Sequence, residues 1–205
     1  MLLENCCYGR TELAVTKMVR EGLFGEVVHC SGGYHHDLRK EIGYGVQKKH
    51  YRLRNYISRN CENYPTHELG PIAKILNINR GNRMLQLNSV ASKSAGLAEY
   101  VKEHQDTLSH LNDTVFNQGD IITTIITCAN GETITLTLDT TLPRFYSRKF
   151  SVHGTKGFYQ EDTDSIFLDR KEDMDNEWDI KKFWGNAKDY EEEYVTAFVP
   201  TSKNV

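Results

Sequence analysis

Two β-branched runs, Ile121 to Cys128 and Glu132 to Asp139, are separated only by Ala129-Asn130-Gly131. No other stretch restricts the fold as strongly, because Asn-Gly between such runs marks a tight hairpin. In the second run Ile134, Leu136 and Leu138 fall on one side and threonines on the other. This predicts an antiparallel sheet with one buried and one wet face. Further strands are expected over Glu26 to Gly33, Met84 to Ser92, Phe150 to Val152, Gly157 to Gln160 and Ser165 to Leu168. The pair Gly32-Gly33 lets the backbone bend or a ligand come close.

Three helices read from periodicity. Thr11 to Glu21 sets Val15, Met18 and Val19 on one face, with Gly22 as its stop. Leu69, Ile72, Ala73 and Leu76 form a second stripe, with Gly81 placed for a left-handed stop. Pro71 suits only a first turn, so the regular helix is expected from near Gly70, with Tyr64 to Leu69 as a loop. Ala95 to His104 forms the third, with Leu97, Tyr100, Val101 and His104 on one side. Lys40 to Asn60 has no sustained period and reads as a long surface excursion.

A net charge of −3 and a pI near 6.2 provide no basic field, so nucleic acid is set aside as a partner. Five cysteines without a Cys-x-x-Cys pair argue for free or buried thiols. No apolar run approaches the roughly 18 residues of a membrane helix, and Glu4 follows Met1-Leu2-Leu3 at once, so neither a membrane partner nor a signal peptide is expected. The chain carries no signal for a compartment.

Chemistry concentrates around the second helix. Tyr64, Thr66, His67 and Glu68 fall at or near its N-terminus, where free N–H groups and the positive dipole end favour anionic or hydroxyl-rich ligands. The same spacing also fits Thr66 as a cap with Tyr64 and His67 as packing. His35 and His36 are neighbours on a strand and point to opposite faces, so no metal site is expected there.

Five motifs in one order, Glu4-Asn5-Cys6-Cys7-Tyr8, Gly33 to Arg39, Tyr64 to Pro71, Asn79 to Arg83 and Tyr146-Ser147-Arg148, resemble glycoside hydrolase family 109. That family includes NAD-dependent α-N-acetylgalactosaminidases built on the Gfo/Idh/MocA oxidoreductase plan. The resemblance implies an α+β fold, a large, mostly antiparallel sheet backed by helices on one face. It also implies that the N-terminal Rossmann domain is missing here, since no Gly-x-Gly-x-x-Gly follows a strand. Residues 1–10 then read as the end of that domain, and residues 11–205 as a substrate-binding domain truncated at its C-terminal end.

The resemblance further implies that Glu4, Tyr34, Tyr64, His67 and Tyr146 line the sugar and nicotinamide pocket. His67 and Tyr34 are the candidates for proton transfer, and Glu4, Tyr64 and Tyr146 for binding substrate or cofactor. Glu4-Asn5-Cys6 stands where related sugar dehydrogenases carry Glu-Lys-Pro, which favours the glycosidase branch. Glu68 and Phe145 depart from the family's usual glycine and proline. The implied activity is an NAD-dependent glycosidase acting on an N-acetylgalactosamine-type glycoside by C3 oxidation, C1–C2 elimination, hydration and re-reduction. The chain alone is expected to be inactive. Two alternatives stay open: an NAD(P)-dependent sugar dehydrogenase, and a cofactor-free sugar-binding or homo-oligomerisation module using the threonine-rich sheet face.

Overall fold

A computed structural model describes residues 4–169 and 185–186. The expected strand end at Met1 to Leu3 and the acidic run Asp189 to Tyr194 lie outside the described residues. The strands are β1 (Val27–His35), β2 (Met84–Ala91), β3 (Ile121–Cys128), β4 (Thr133–Asp139), β5 (Ser151–Gly154), β6 (Gly157–Gln160), β7 (Ser165–Leu168) and β8 (Gly185–Asn186). They form one sheet in the order β2-β3-β4-β1-β5-β6-β7-β8. Only β1 and β4 run parallel; the other neighbours are antiparallel. The Asn-Gly hairpin forms as expected, with Gly131 at φ +99°.

The register explains why this sheet has one covered face. Cys30 lies opposite Ile134 and Tyr34 opposite Leu138, while Ile126 and Ile122 face the same two partners from the other side. Val152 continues the row beside Cys30, followed by Tyr159 and Ile166. Every one of these residues is buried. The other face carries His29, Ser31, Thr133, Thr135 and Ser151. Polar bonds knit it, including His29 Nδ1 to Thr133 Oγ1 at 2.8 Å and Ser31 Oγ to Ser151 Oγ at 2.7 Å.

Among the described residues, the helices that pack into the core lie under the covered face, in two groups. α1 (Arg10–Arg20) and α4 (Thr66–Ile75) bury Ala14, Val15, Met18, Ile72 and Ile75 against the aliphatic part of the sheet. α2 (Arg39–Gly43), α3 (Arg52–Ser58), α5 (Gly96–Glu103) and α6 (Gln105–Leu108) pack Ile42, Leu53, Tyr56, Leu97, Val101 and Leu108 around Tyr34 and Leu138. A completely buried residue such as Ile72 contributes about 1.5–3 kcal/mol in this way.

Two expectations are corrected. Lys40 to Asn60 is not simply a surface excursion, because α2 and α3 fall within it and bury Ile42, Leu53 and Tyr56. These helices are five and seven residues long, too short for a repeating period to show. The second correction concerns α4, which begins at Thr66 and carries Pro71 inside it rather than starting near Gly70. Proline has no N–H for the carbonyl one turn back, so the helix loses one ladder bond there and continues. α4 also ends at Ile75, well before Gly81, and Asn77 and Asn79 take the positive φ values that turn the chain away.

Candidate functional site

The starting point is a short 3-10 turn, Asn5–Tyr8, capped by Glu4, whose Oε1 accepts from Cys6 N–H at 3.1 Å. This turn packs on the first part of α4 because Gly70 leaves room for it. A Cβ on Gly70 would stand 2.9 Å from Cys7 Sγ and 3.0 Å from Glu4 Cγ. Gly32 plays the same part on the other side of α4, where its Cβ would lie 2.7 Å from that of Glu68. Two missing side chains therefore let the turn, α4 and β1 converge.

At the convergence His67 Nδ1 lies 2.9 Å from Glu4 Oε1, off the line of a well-formed hydrogen bond. The imidazole is held edge-on between Tyr34 and Tyr64, at centroid distances of 5.4 and 4.7 Å. Tyr34 packs on Tyr64 at 4.7 Å and meets Tyr146 at 6.4 Å. The structure thus brings Glu4, Tyr34, Tyr64, His67 and Tyr146 together, although they come from four separate places in the chain.

Thr66 makes no side-chain cap on α4. Its hydroxyl serves Glu4 instead.

The electrostatics divide the acids. Burial works against charge on Glu4, but the Cys6 N–H, the Thr66 hydroxyl and His67 together outweigh it and hold the carboxyl below its ordinary value. Glu4 is therefore ionised at neutral pH. Glu68, one residue past His67, is 2% exposed, and one of its carboxyl oxygens has no partner. Burial pushes its pKa up to about 10, against the pull of Arg148. Arg148 is engaged by Glu12 and, at 2.9 Å, by Glu161. Burial also raises all three tyrosines, Tyr146 to about 12, so each hydroxyl keeps its proton at neutral pH.

Two further residues belong to the cluster and were missed in the sequence. His36 Nδ1 shares a hydrogen bond with the Tyr34 hydroxyl at 3.3 Å, and the ring packs edge-on against Tyr146 at 5.2 Å. The i, i+2 spacing from Tyr34 was a usable signal, since alternate strand residues share a side. Arg52 of α3 places its guanidinium 5.4 Å from the centre of the Tyr64 ring while pairing with Glu41. Its signal was hidden with α3 itself. His35 points to the opposite face, is 2% exposed, and has its pKa pushed down to about 4 by burial and by Arg144 and Lys149. It takes no part in the cluster.

A family model described as "Glycosyl hydrolase 109, C-terminal domain" matches residues 8–195. An α-N-acetylgalactosaminidase of Tannerella forsythia is 39% identical over 92% of this chain and 44% of the relative. A glycosyl hydrolase family 109 protein of Stenotrophomonas maltophilia is 41% identical over 95% of this chain and 45% of the relative. The chain therefore spans less than half the length of these relatives. Among solved structures, an inositol dehydrogenase homologue of Azotobacter vinelandii complexed with NAD+ matches with a TM-score of 0.54 at 13% identity, over 81% of this chain and 40% of the other. A levoglucosan dehydrogenase complexed with NADH and levoglucosan matches at 0.51 and 18% identity, over 78% and 41%. At these identities the likeness shows the fold.

Proposed function

Since the chain belongs to glycosyl hydrolase family 109, we propose that it forms the substrate side of an NAD-dependent glycosidase acting on an N-acetylgalactosamine-type glycoside. The observation that carries the reading is the makeup of the cluster: the ionised carboxylate of Glu4, the imidazoles of His67 and His36, and three protonated tyrosines gathered in one place. Hydrolysis through an oxocarbenium-like transition state asks for two carboxyl groups flanking the scissile bond. Glu4 alone does not fill both roles, and Glu68 is buried against Arg148 and Gly32.

The residues fit the sugar end of a bound NAD rather than its phosphates. Tyrosine hydroxyls and an imidazole suit sugar hydroxyls and an amide, whereas the described residues include no glycine-rich phosphate loop opening a helix. When bound, NAD would supply hydride removal from C3 and its return. In this reading His67 takes the C2 proton once C3 is a ketone and the C1–oxygen bond breaks by elimination, while Tyr34, whose hydroxyl keeps its proton, serves as a hydrogen-bond donor and not as the base. The Glu4 carboxylate, close to Nδ1 of His67, favours a proton on that nitrogen by its charge. Tyr64 and Tyr146 orient substrate hydroxyls, and Arg52 fixes the Tyr64 ring. In this reading a second copy would seat on the polar sheet face, where Val90 and Ile125 are exposed.

The test is turnover of a nitrophenyl α-N-acetylgalactosaminide in D₂O by a two-domain form carrying this chain. Nitrophenol release at catalytic NAD, without NADH accumulation and with deuterium at C2 of the product, is expected. Product retaining only its original C2 hydrogen would exclude elimination. Stoichiometric NADH with an intact glycosidic bond would establish a sugar dehydrogenase.

A further inference from the structure

The turn that positions Glu4 delivers a thiol to the same place. Cys6 follows Glu4 by two residues, and its N–H bond to Glu4 Oε1 fixes the two against each other. His67 enters from α4 with Nδ1 close to Glu4 but poorly aligned for a hydrogen bond to it. A carboxylate oxygen of Glu4, the sulfur of Cys6 and a ring nitrogen of His67 all lie within 4.8 Å of one another. A tetrahedral ion with bonds of about 2.0–2.3 Å spaces its donors by about 3.3–3.8 Å, so side-chain adjustments of about 1 Å close the set. From these positions we propose that Glu4, Cys6 and His67 form a three-ligand site for a borderline-soft divalent cation of the Zn²⁺ type, with a fourth position open to water.

The donor set decides the class of ion. One sulfur, one nitrogen and one oxygen suit Zn²⁺, Co²⁺ or Cd²⁺, whereas Mg²⁺ and Ca²⁺ select oxygen. Binding forms a metal–sulfur bond and sends the thiol proton to solvent, with no change in oxidation state. The other cysteines are placed differently. Cys30 and Cys128 are buried in the core, Cys61 is exposed, and Cys7 packs against Gly70. This site is also separate from the His35-His36 pair, whose rings lie on opposite sides of β1. An ion at Glu4, Cys6 and His67 would tie up the proton-transfer group of the proposed function, on which this consequence rests, together with the carboxylate beside it, so it inhibits rather than assists turnover.

Titration of the chain with Co²⁺ tests the assignment. A near-ultraviolet thiolate-to-cobalt band should grow together with the visible bands of tetrahedral cobalt and saturate at one ion per chain. Cys6→Ser should remove the ultraviolet band and weaken binding by at least the ~10- to 100-fold that losing a partner around a metal costs. His67→Ala should weaken binding to a similar extent, and Cys61→Ser should change nothing. In the unmutated chain Zn²⁺ should protect Cys6 from alkylation, read by peptide mass spectrometry, which keeps the test open if a variant folds poorly. A titration without the band, a band that survives Cys6→Ser in folded protein, or alkylation of Cys6 unaffected by Zn²⁺ would overturn the site. These readouts need no turnover, so their failure would leave the glycosidase proposal standing, and an inactive two-domain form would leave the metal site standing.

Discussion

The two halves under the covered sheet face are built on different terms. One half rests on α1 and α4, helices of 11 and 10 residues whose aliphatic side chains mesh with β5, β6 and β7. The other collects four short helices around Tyr34, Tyr56 and Leu138, and its partly buried neighbours include Tyr44, Tyr64 and Tyr100. α4 belongs to both. Its Ile72 stripe is locked into the aliphatic half, while its first turn carries His67 into the aromatic one. A reactive group at the end of a rigid element can be held accurately without paying for a dry core around it. The difference teaches where each kind of substitution should register, in stability or in chemistry.

The sharpest way to break the aliphatic half is Ile72→Ala. Ile72 is fully buried, and its truncation should cost about 2–5 kcal/mol by urea unfolding. A loss below about 1 kcal/mol would mean that α4 is not anchored as described.

Glu68 tests the boundary between the halves. Its folded pKa of about 10 lies above the ordinary 4.5, so the folded state holds a proton that the unfolded state releases. Stability should therefore be fully present below about pH 4.5 and fall as pH rises towards 10, with a slope of at most about 1.4 kcal/mol per pH unit. Glu68→Gln should flatten that slope. Parallel pH profiles for the two proteins would show instead that the carboxyl ionises in place.

Smaller effects belong to the aromatic half and the surface. Tyr56→Phe removes a buried hydroxyl bonded to Thr140 and should cost about 1 kcal/mol in thermal or urea unfolding. Lys17→Ala breaks a partly exposed i, i+4 pair with Glu21 and should shift stability by less than about 0.5 kcal/mol. A reversal of these two sizes would contradict the assigned burial.

The same contrast explains what the sequence disclosed. The hairpin was legible because Asn130-Gly131 and the alternation of Ile134, Leu136 and Leu138 agree, and α1 because its stripe ends at Gly22 with positive φ. α2 and α3 were not, since Leu53 and Tyr56 mark a single turn and their burial is decided by distant partners on α5 and β1. The start of α4 was misplaced because tertiary packing through Gly70 and Gly32 outweighs the bond lost at Pro71. At the site, motif order pointed to Glu4, Tyr34, Tyr64, His67 and Tyr146. Arg52 and Cys6 acquire their places only when separate segments meet in three dimensions.

The central claim is that the cluster at the seam performs proton chemistry on a sugar while the helix beneath it supplies only support. His67→Ala in a two-domain form carrying this chain tests it most directly. The account predicts a fall in turnover of ~10²-fold or more with the melting temperature nearly unchanged, because the imidazole is a partly exposed group at a helix start. Turnover close to the unmutated rate, or a loss that merely follows unfolding, would contradict it.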